Sequence, residues 1–166
     1  MELIRKIDNY LEDFFSEERH NALLITGSRQ CGKTHAIRKF CKKHFKNIIE
    51  INFLQNKKMV SIFSNAKDHI DVLLKLPLIT DEKIEKGNTV IFFDEVQECP
   101  NIVTLIKFLV EEGSYSYILS TSHLSRFMLK TSESNLPSGS ALPIGVLIGI
   151  QATRRLSLVA SRSGLT

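Results

Sequence analysis

GSRQCGKT, residues 27–34, follows the apolar run ALLIT at 22–26. Two glycines enclose four residues and are followed by Lys33 and Thr34, which satisfies G-x-x-x-x-G-K-[ST] at every fixed position. Four fixed positions coincide by accident in a chain this long on the order of once in a hundred, so the flanking sequence decides. A phosphate-binding loop needs a strand before it and a helix after it, because its backbone N–H groups and the positive helix end must converge on one anion. ALLIT is short, apolar and bounded by polar residues, as a buried strand is, and residues 34–45 carry Ala36, Ile37, Phe40 and Cys41 at helical spacing. In that setting Gly27, Ser28, Arg29, Gln30, Cys31, Gly32, Lys33 and Thr34 are expected to bind a nucleotide. Gly27 allows a tight exit from the strand, Gly32 lets backbone approach the phosphates, Lys33 supplies charge, and the Thr34 hydroxyl is offered to magnesium.

Outward from the loop, strands and helices alternate. NIIEINF (47–53) and SYILS (116–120) read as short buried strands, and TVIFFD (89–94) is the most apolar of all. Its continuous rather than alternating burial marks a central strand of a parallel sheet. Leu3, Ile4, Ile7, Leu11, Phe14 and Phe15 recur at helical spacing and predict an opening amphipathic helix to about Glu18. Residues 57–76 read as two helices interrupted near Asn65. Pro100 opens another, with Ile102, Val103, Leu105, Ile106, Leu109 and Val110 on one face and Gly113 at its end. The alternation predicts an α/β protein: a three-layer P-loop NTPase fold with a mostly parallel central sheet flanked by helices.

Composition sets bounds on function. The chain has 166 residues, enough for one α/β domain, with 43% hydrophobic and 24% charged residues, the range of an ordinary globular protein. The apolar stretch ALPIGVLIGI (141–150) is about half of what a bilayer needs, and the mixed charges of the N-terminus differ from a secretory signal. No membrane association and a cytoplasmic location are expected. Cys31, Cys41 and Cys99 lack CxxC spacing, which argues against a thiolate zinc site or a disulfide framework. The net charge of +4 invites a nucleic-acid reading, but residues 1–133 hold 19 basic and 18 acidic residues, and the tail beyond them adds only Arg154, Arg155 and Arg162. A cluster of Arg38, Lys39, Lys42, Lys43 and Lys46 reads as a solvated helix face, so the charge distribution does not support nucleic acid as a partner.

Asp94 and Glu95 end the most apolar strand. In P-loop enzymes an acidic residue at that place holds magnesium together with the loop Ser/Thr, which assigns Thr34 and Asp94 to the metal. The adjacent Glu95 is expected to activate water as the catalytic base. GSRQCGKT, FFDEVQECP and YSYILSTS together resemble the AAA-like P-loop ATPase domain of a prokaryotic family that usually carries a C-terminal nuclease-like domain of unknown function. The Arg29–Gln30 pair and the Asp94–Glu95–Val96–Gln97 run carry that resemblance, which extends over residues 1–139. It implies ATP as ligand with magnesium (Mg2+), and a polar residue at the end of the next strand that senses the outer phosphate. Ser120 is assigned that role, with Thr121 or Ser122 as alternatives. The family shows Gly-Ser at this point, where this chain has Ser-Thr-Ser.

A second departure follows residue 139. The acidic helix and the helical lid that the resemblance implies next, ahead of the C-terminal domain, are not expected from residues 140–166: no acidic residue follows Glu133, and no aromatic residue follows Phe127. Residues 1–140 are therefore read as the ATPase core and 141–166 as an atypical tail, either a fifth strand or the remnant of a truncation or frameshift. Arg154 and Arg155 are not expected to act as an arginine finger, and deletion of the tail is expected to leave nucleotide binding within a few-fold. The functional expectation is an ATP-binding, magnesium-dependent ATPase core with weak activity in isolation, working through self-association or a missing C-terminal domain. Two alternatives are a non-hydrolysing, nucleotide-gated binding module and, less favoured, a P-loop kinase.

Overall fold

The apolar run at 89–94 becomes β3 (Thr89–Asp94), every residue of which is buried in the computed structural model. The structure describes residues 2–16, 22–123, 144–150 and 158–159. Side chains of β3 alternate between two cores, as the two-residue period of a strand requires. Val90 and Phe92 face α1 (Glu2–Ser16) and α2 (Lys33–His44), whereas Ile91 and Phe93 face α3 (Lys57–Ser64), α4 (His69–Ile79) and α5 (Pro100–Glu112). Helices thus cover both faces, which explains why the strand is apolar throughout.

The remaining strands are β1 (Ala22–Gly27), β2 (Asn47–Asn52), β4 (Ser116–Thr121), β5 (Ile144–Ile150) and β6 (Leu158–Val159), in the spatial order β2-β3-β4-β1-β5-β6. All neighbours pair in parallel except β5 and β6. This is the mostly parallel, helix-flanked α/β sheet expected from the alternation of elements. β4 lies between β1 and β3, so the two strands that carry the loop and the carboxylates are not neighbours.

Local chemistry fixes the helix ends. The break near Asn65 is real: α3 starts on Asn56, whose side chain accepts from Met59 N, and α4 starts on Asp68, which accepts from Asp71 N at 2.8 Å. Asn101 of α5 locks the break by donating to the carbonyls of Phe63 (2.9 Å) and Ala66 (3.0 Å). α4 runs on through Pro77, past the end read from sequence. Proline in the last turn removes only one helical hydrogen bond, so the helix continues to Ile79. Its outward face carries Ile70, Leu74 and Leu78, 48%, 68% and 82% exposed.

An aromatic cluster joins the helical layer to the sheet. Phe53 stacks on Phe93 with centroids 5.9 Å apart, Phe63 meets both edge-on, and Tyr117 stacks on Phe93 at 6.5 Å. The basic cluster on α2 and just beyond it is largely neutralised by acids of neighbouring elements: Arg38 pairs with Glu50, Lys39 with Asp8, Lys43 with Glu12 and Lys46 with Glu85. Among the described residues, no helix is long and apolar enough to cross a membrane.

Candidate functional site

The carboxyl ends of β1, β2, β3 and β4 finish level with one another: Thr26 is in register with Thr121, and Asn52 with Asp94. From β1 the chain leaves through α2 toward the β2 edge, and after β4 the next described strand is β5, on the opposite side of β1. Such a reversal opens a crevice beyond the strand ends, where ligands of parallel α/β sheets bind. The crevice has a volume of about 540 Å³ and is lined by Arg29 through His35, Arg38, Asn52, Leu54, Gln55, Asp94 and Glu95. That volume falls within the range of small-ligand sites.

Gly32 has φ 87° and ψ 9°, the left-handed region, and a Cβ placed there would meet nothing within 4 Å. Backbone conformation, not space, therefore demands glycine here. Gln30 is also left-handed, with φ 61°. Left-handed residues within a tight turn point successive N–H groups into a shared concavity, a nest for an anion. The helix behind the loop has neither a side-chain cap nor an acidic residue in its first turn, so its positive end is not neutralised locally. Lys33 is only 5% exposed, and its Nζ donates to the carbonyls of Gly27 (2.7 Å) and Ser28 (2.9 Å), with Cys31 Sγ 3.8 Å away. The charge is thus held inside the curve of the loop.

Thr34 Oγ1 donates to Asp94 Oδ2 at 3.1 Å, and Asn52 Nδ2 donates to the same oxygen at 2.8 Å. The Asn52 amide is oriented by its other end, where Oδ1 accepts from Leu54 N (3.0 Å) and Gln55 N (2.8 Å). Ser120 Oγ donates to Asp94 Oδ1. Burial pushes the Asp94 carboxyl above the ordinary aspartate value, the Ser120 hydrogen bond opposes this, and the neighbouring Glu95 charge adds to it. A divalent cation would relieve the same strain by supplying positive charge. Among the described residues no three of His, Cys, Asp and Glu gather as a protein-only metal site. One carboxylate and one hydroxyl beside a phosphate nest instead fit magnesium, which keeps water and phosphate oxygens as its other ligands.

Glu95 itself is left-handed, φ 58° and ψ 49°, and its N–H donates to Ser120 Oγ at 3.3 Å. This turn swings the carboxylate from the end of β3 over the end of β4. There Oε2 accepts from Gln97 Nε2 (2.6 Å), Ser122 N (3.2 Å) and Ser122 Oγ. Burial pushes the Glu95 carboxyl up, but the Gln97 and Ser122 hydrogen bonds and the Lys33 charge outweigh it and hold the group below the ordinary glutamate value. The carboxylate therefore stays ionised, with the Lys33 charge nearby.

The structure therefore brings the loop from Arg29 to Thr34 together with Asp94 and Glu95 around one crevice, while Gly27 and Ser28 carry the carbonyls that hold Lys33. Ser120 meets them from behind: it is fully buried and not among the crevice-lining residues, but its hydroxyl bonds to Asp94 and to the Glu95 N–H. Sequence reasoning gave no role to Asn52 or Gln97. The signal for Asn52 was a polar residue closing an apolar strand, and for Gln97 its place within the Asp94–Gln97 run.

A family model described as AAA domain matches residues 19–143. The chain belongs to this AAA_14 family. The AAA domain is 32% identical over 100 residues to the uncharacterized protein MJ1544 of Methanocaldococcus jannaschii, a match covering 60% of this chain and 21% of that protein. The chain thus spans about a fifth of that relative's length. In three dimensions it is similar to PCH-2 of C. elegans, with a TM-score of 0.54 at 11% identity, covering 90% of this chain and 42% of that one. Family and fold make the chain a P-loop ATP-binding module.

Proposed function

We propose that this AAA domain binds ATP with magnesium and hydrolyses the outer phosphate bond, with Glu95 as the base. The observation that carries the reading is the juxtaposition of Lys33 and Thr34, in the first turn of the helix that follows the β1 loop, with Asp94 and Glu95 at the end of β3. Lys33 and the loop N–H groups bind and orient the phosphates, and Thr34 and Asp94 hold the cation. Magnesium, when bound, neutralises charge on the phosphate oxygens. Glu95 orients a water molecule and accepts its proton as the water oxygen bonds to phosphorus, while the bridging oxygen leaves with ADP.

Catalysis in the isolated chain is slow on this reading. P-loop ATPases need an arginine near the outer phosphate, and its lack costs on the order of a thousandfold in rate. Arg38 lines the crevice, with the Nε and Nη2 edge of its guanidinium held by Glu50, at 2.6 Å for each bond. On this reading a second copy of the chain or a C-terminal nuclease-like domain supplies the arginine near the outer phosphate, and the expected rate without it is at most about one turnover per minute, against roughly 1 to 1,000 per second for ordinary enzymes.

Calorimetric titration with ATP, GTP and ADP, each with magnesium or with chelator, tests binding, base and metal together. Phosphate release under single-turnover conditions then tests hydrolysis. Glu95→Gln is expected to bind ATP as the wild type does and to lose about a hundredfold in rate. Equal loss of binding and rate would make Glu95 structural, and tight ATP binding with no phosphate release would leave a nucleotide-gated binding module.

A further inference from the structure

The 3-10 turn Val96–Glu98 that follows Glu95 is closed by Glu98 N to Glu95 O at 3.0 Å and Cys99 N to Val96 O at 3.0 Å. With Glu95 left-handed, this turn folds Gln97 back beneath the Glu95 side chain instead of letting the chain enter α5 directly. Gln97 is 1% exposed and Thr121, at the end of β4, is fully buried. Thr121 Oγ1 donates to Gln97 Oε1 at 2.7 Å, and Gln97 Nε2 donates to Glu95 Oε2 at 2.6 Å. The orientation of the amide follows from chemistry: turned over, it would set its oxygen against a carboxylate and its nitrogen against a hydroxyl that can still accept, losing the charge-assisted bond.

Among the described residues, every side-chain and backbone donor to this carboxylate, from Gln97 and from Ser122, lands on Oε2. Oε1 accepts no hydrogen bond from the described residues. A carboxylate pinned at one oxygen cannot rotate, so its other oxygen has a single position and keeps its lone pairs for an incoming proton. We infer that Gln97 and Thr121 form a brace, positioning residues that fix Glu95 so that Oε1 alone meets the attacking water. This rests on the reading of Glu95 as the hydrolytic base. The brace ties that base to β4, the strand between the loop strand and the carboxylate strand, so a base at the end of β3 is aimed from its neighbour. An amide buried at the end of a hydrophobic sheet earns no packing advantage over leucine or methionine, whereas only an amide can link the hydroxyl to the carboxylate.

The test compares Gln97→Met, Thr121→Val and Thr121→Ser with wild type and Glu95→Gln in the full chain, measuring ATP affinity by calorimetry and phosphate release in single turnover. Valine keeps the shape of threonine without the hydroxyl, and serine keeps the hydroxyl. Gln97→Met and Thr121→Val are expected to lose ten- to a hundredfold in rate, the size of effect that misplacement of a catalytic group produces, with ATP affinity within about threefold. Thr121→Ser is expected to recover the rate to within about threefold of wild type. Should one of the two buried variants fail to fold, the other carries the same test, with a loss in rate and none in affinity. A Thr121→Val chain as fast as wild type, a loss shared equally by Thr121→Ser, or a loss in affinity alone would overturn the brace. Those outcomes beside an inactive Glu95→Gln leave the base reading standing. A Glu95→Gln chain that matches wild type, or a wild type without hydrolysis, instead sinks the base reading and the brace together.

Discussion

Thr34 and Asp94 lie 60 residues apart in sequence and 3.1 Å apart through a hydroxyl–carboxylate hydrogen bond. The bond joins the first turn of α2 to the last residue of β3 across the end of β4, which marks the point where a cation would touch protein and phosphate together. Asp94→Asn keeps the shape and removes the charge. ATP affinity with magnesium is expected to fall by about tenfold or more, and affinity with chelator to stay within about threefold, since only the metal-dependent share is lost. Calorimetry in the two buffers reads both, and an equal loss in each would mean that Asp94 organises the loop and holds no metal.

Lys33→Ala is expected to weaken ATP binding at least about tenfold, because a charge-assisted hydrogen bond to phosphate contributes roughly 1.5 to 3 kcal/mol. The fold should persist, as the lysine's present partners are two loop carbonyls that water can satisfy. Unchanged affinity with an intact thermal transition would refute the phosphate-loop reading.

The three cysteines are expected to differ sharply toward a thiol reagent at pH 8. Cys41 is buried, which pushes its thiol up to about 12, and burial likewise raises Cys99. Only about one Cys41 in ten thousand would be thiolate at that pH. Cys31 is half-buried and lines the crevice. One fast equivalent is therefore predicted in the native chain, slowed by ATP with magnesium, against three after denaturation. Three fast equivalents in the native state would contradict the burial described here.

Tyr117 places its ring in the aromatic cluster but leaves its hydroxyl buried with no hydrogen-bond partner among the described residues. Tyr117→Phe removes a desolvated polar group and keeps the stacking, so the chain should become more stable by about 1 kcal/mol. Urea unfolding measures this directly, and a loss of stability would reveal a partner for the hydroxyl.

Much of the fold was legible because burial on both faces of β3 leaves an unmistakable apolar run, and because the chemistry of phosphate binding restricts residue types at fixed spacing. Asp94 and Glu95 stood out as charges at the end of that run. Asn52 and Gln97 did not, for a physical reason. Asn52 meets Asp94 only through the β2–β3 register, and Gln97 meets Glu95 only because a glutamate adopts a left-handed backbone before a 3-10 turn. Neither condition has a residue signature, since glutamate in that conformation is uncommon and nothing beside it advertises the turn. The extent of α4 was hidden by Pro77, which reads as a stop and here costs one bond in the final turn.

The position of β1 between β4 and β5 sets a timetable for the newborn chain. β1 is made early, yet its partners on both sides are made later, β4 about a hundred residues after it. At a synthesis rate of roughly 5 to 20 residues per second, that is a wait of about 5 to 20 s. β2 and β3 can pair in the meantime, with α3 and α4 already translated between them. The strand that leads into the loop thus enters the sheet only when β4 arrives, and with it come the ends of all four strands that frame the crevice. Affinity for nucleotide is therefore expected only after β4 has joined the sheet, and ATP is not expected to template chains that still lack that strand.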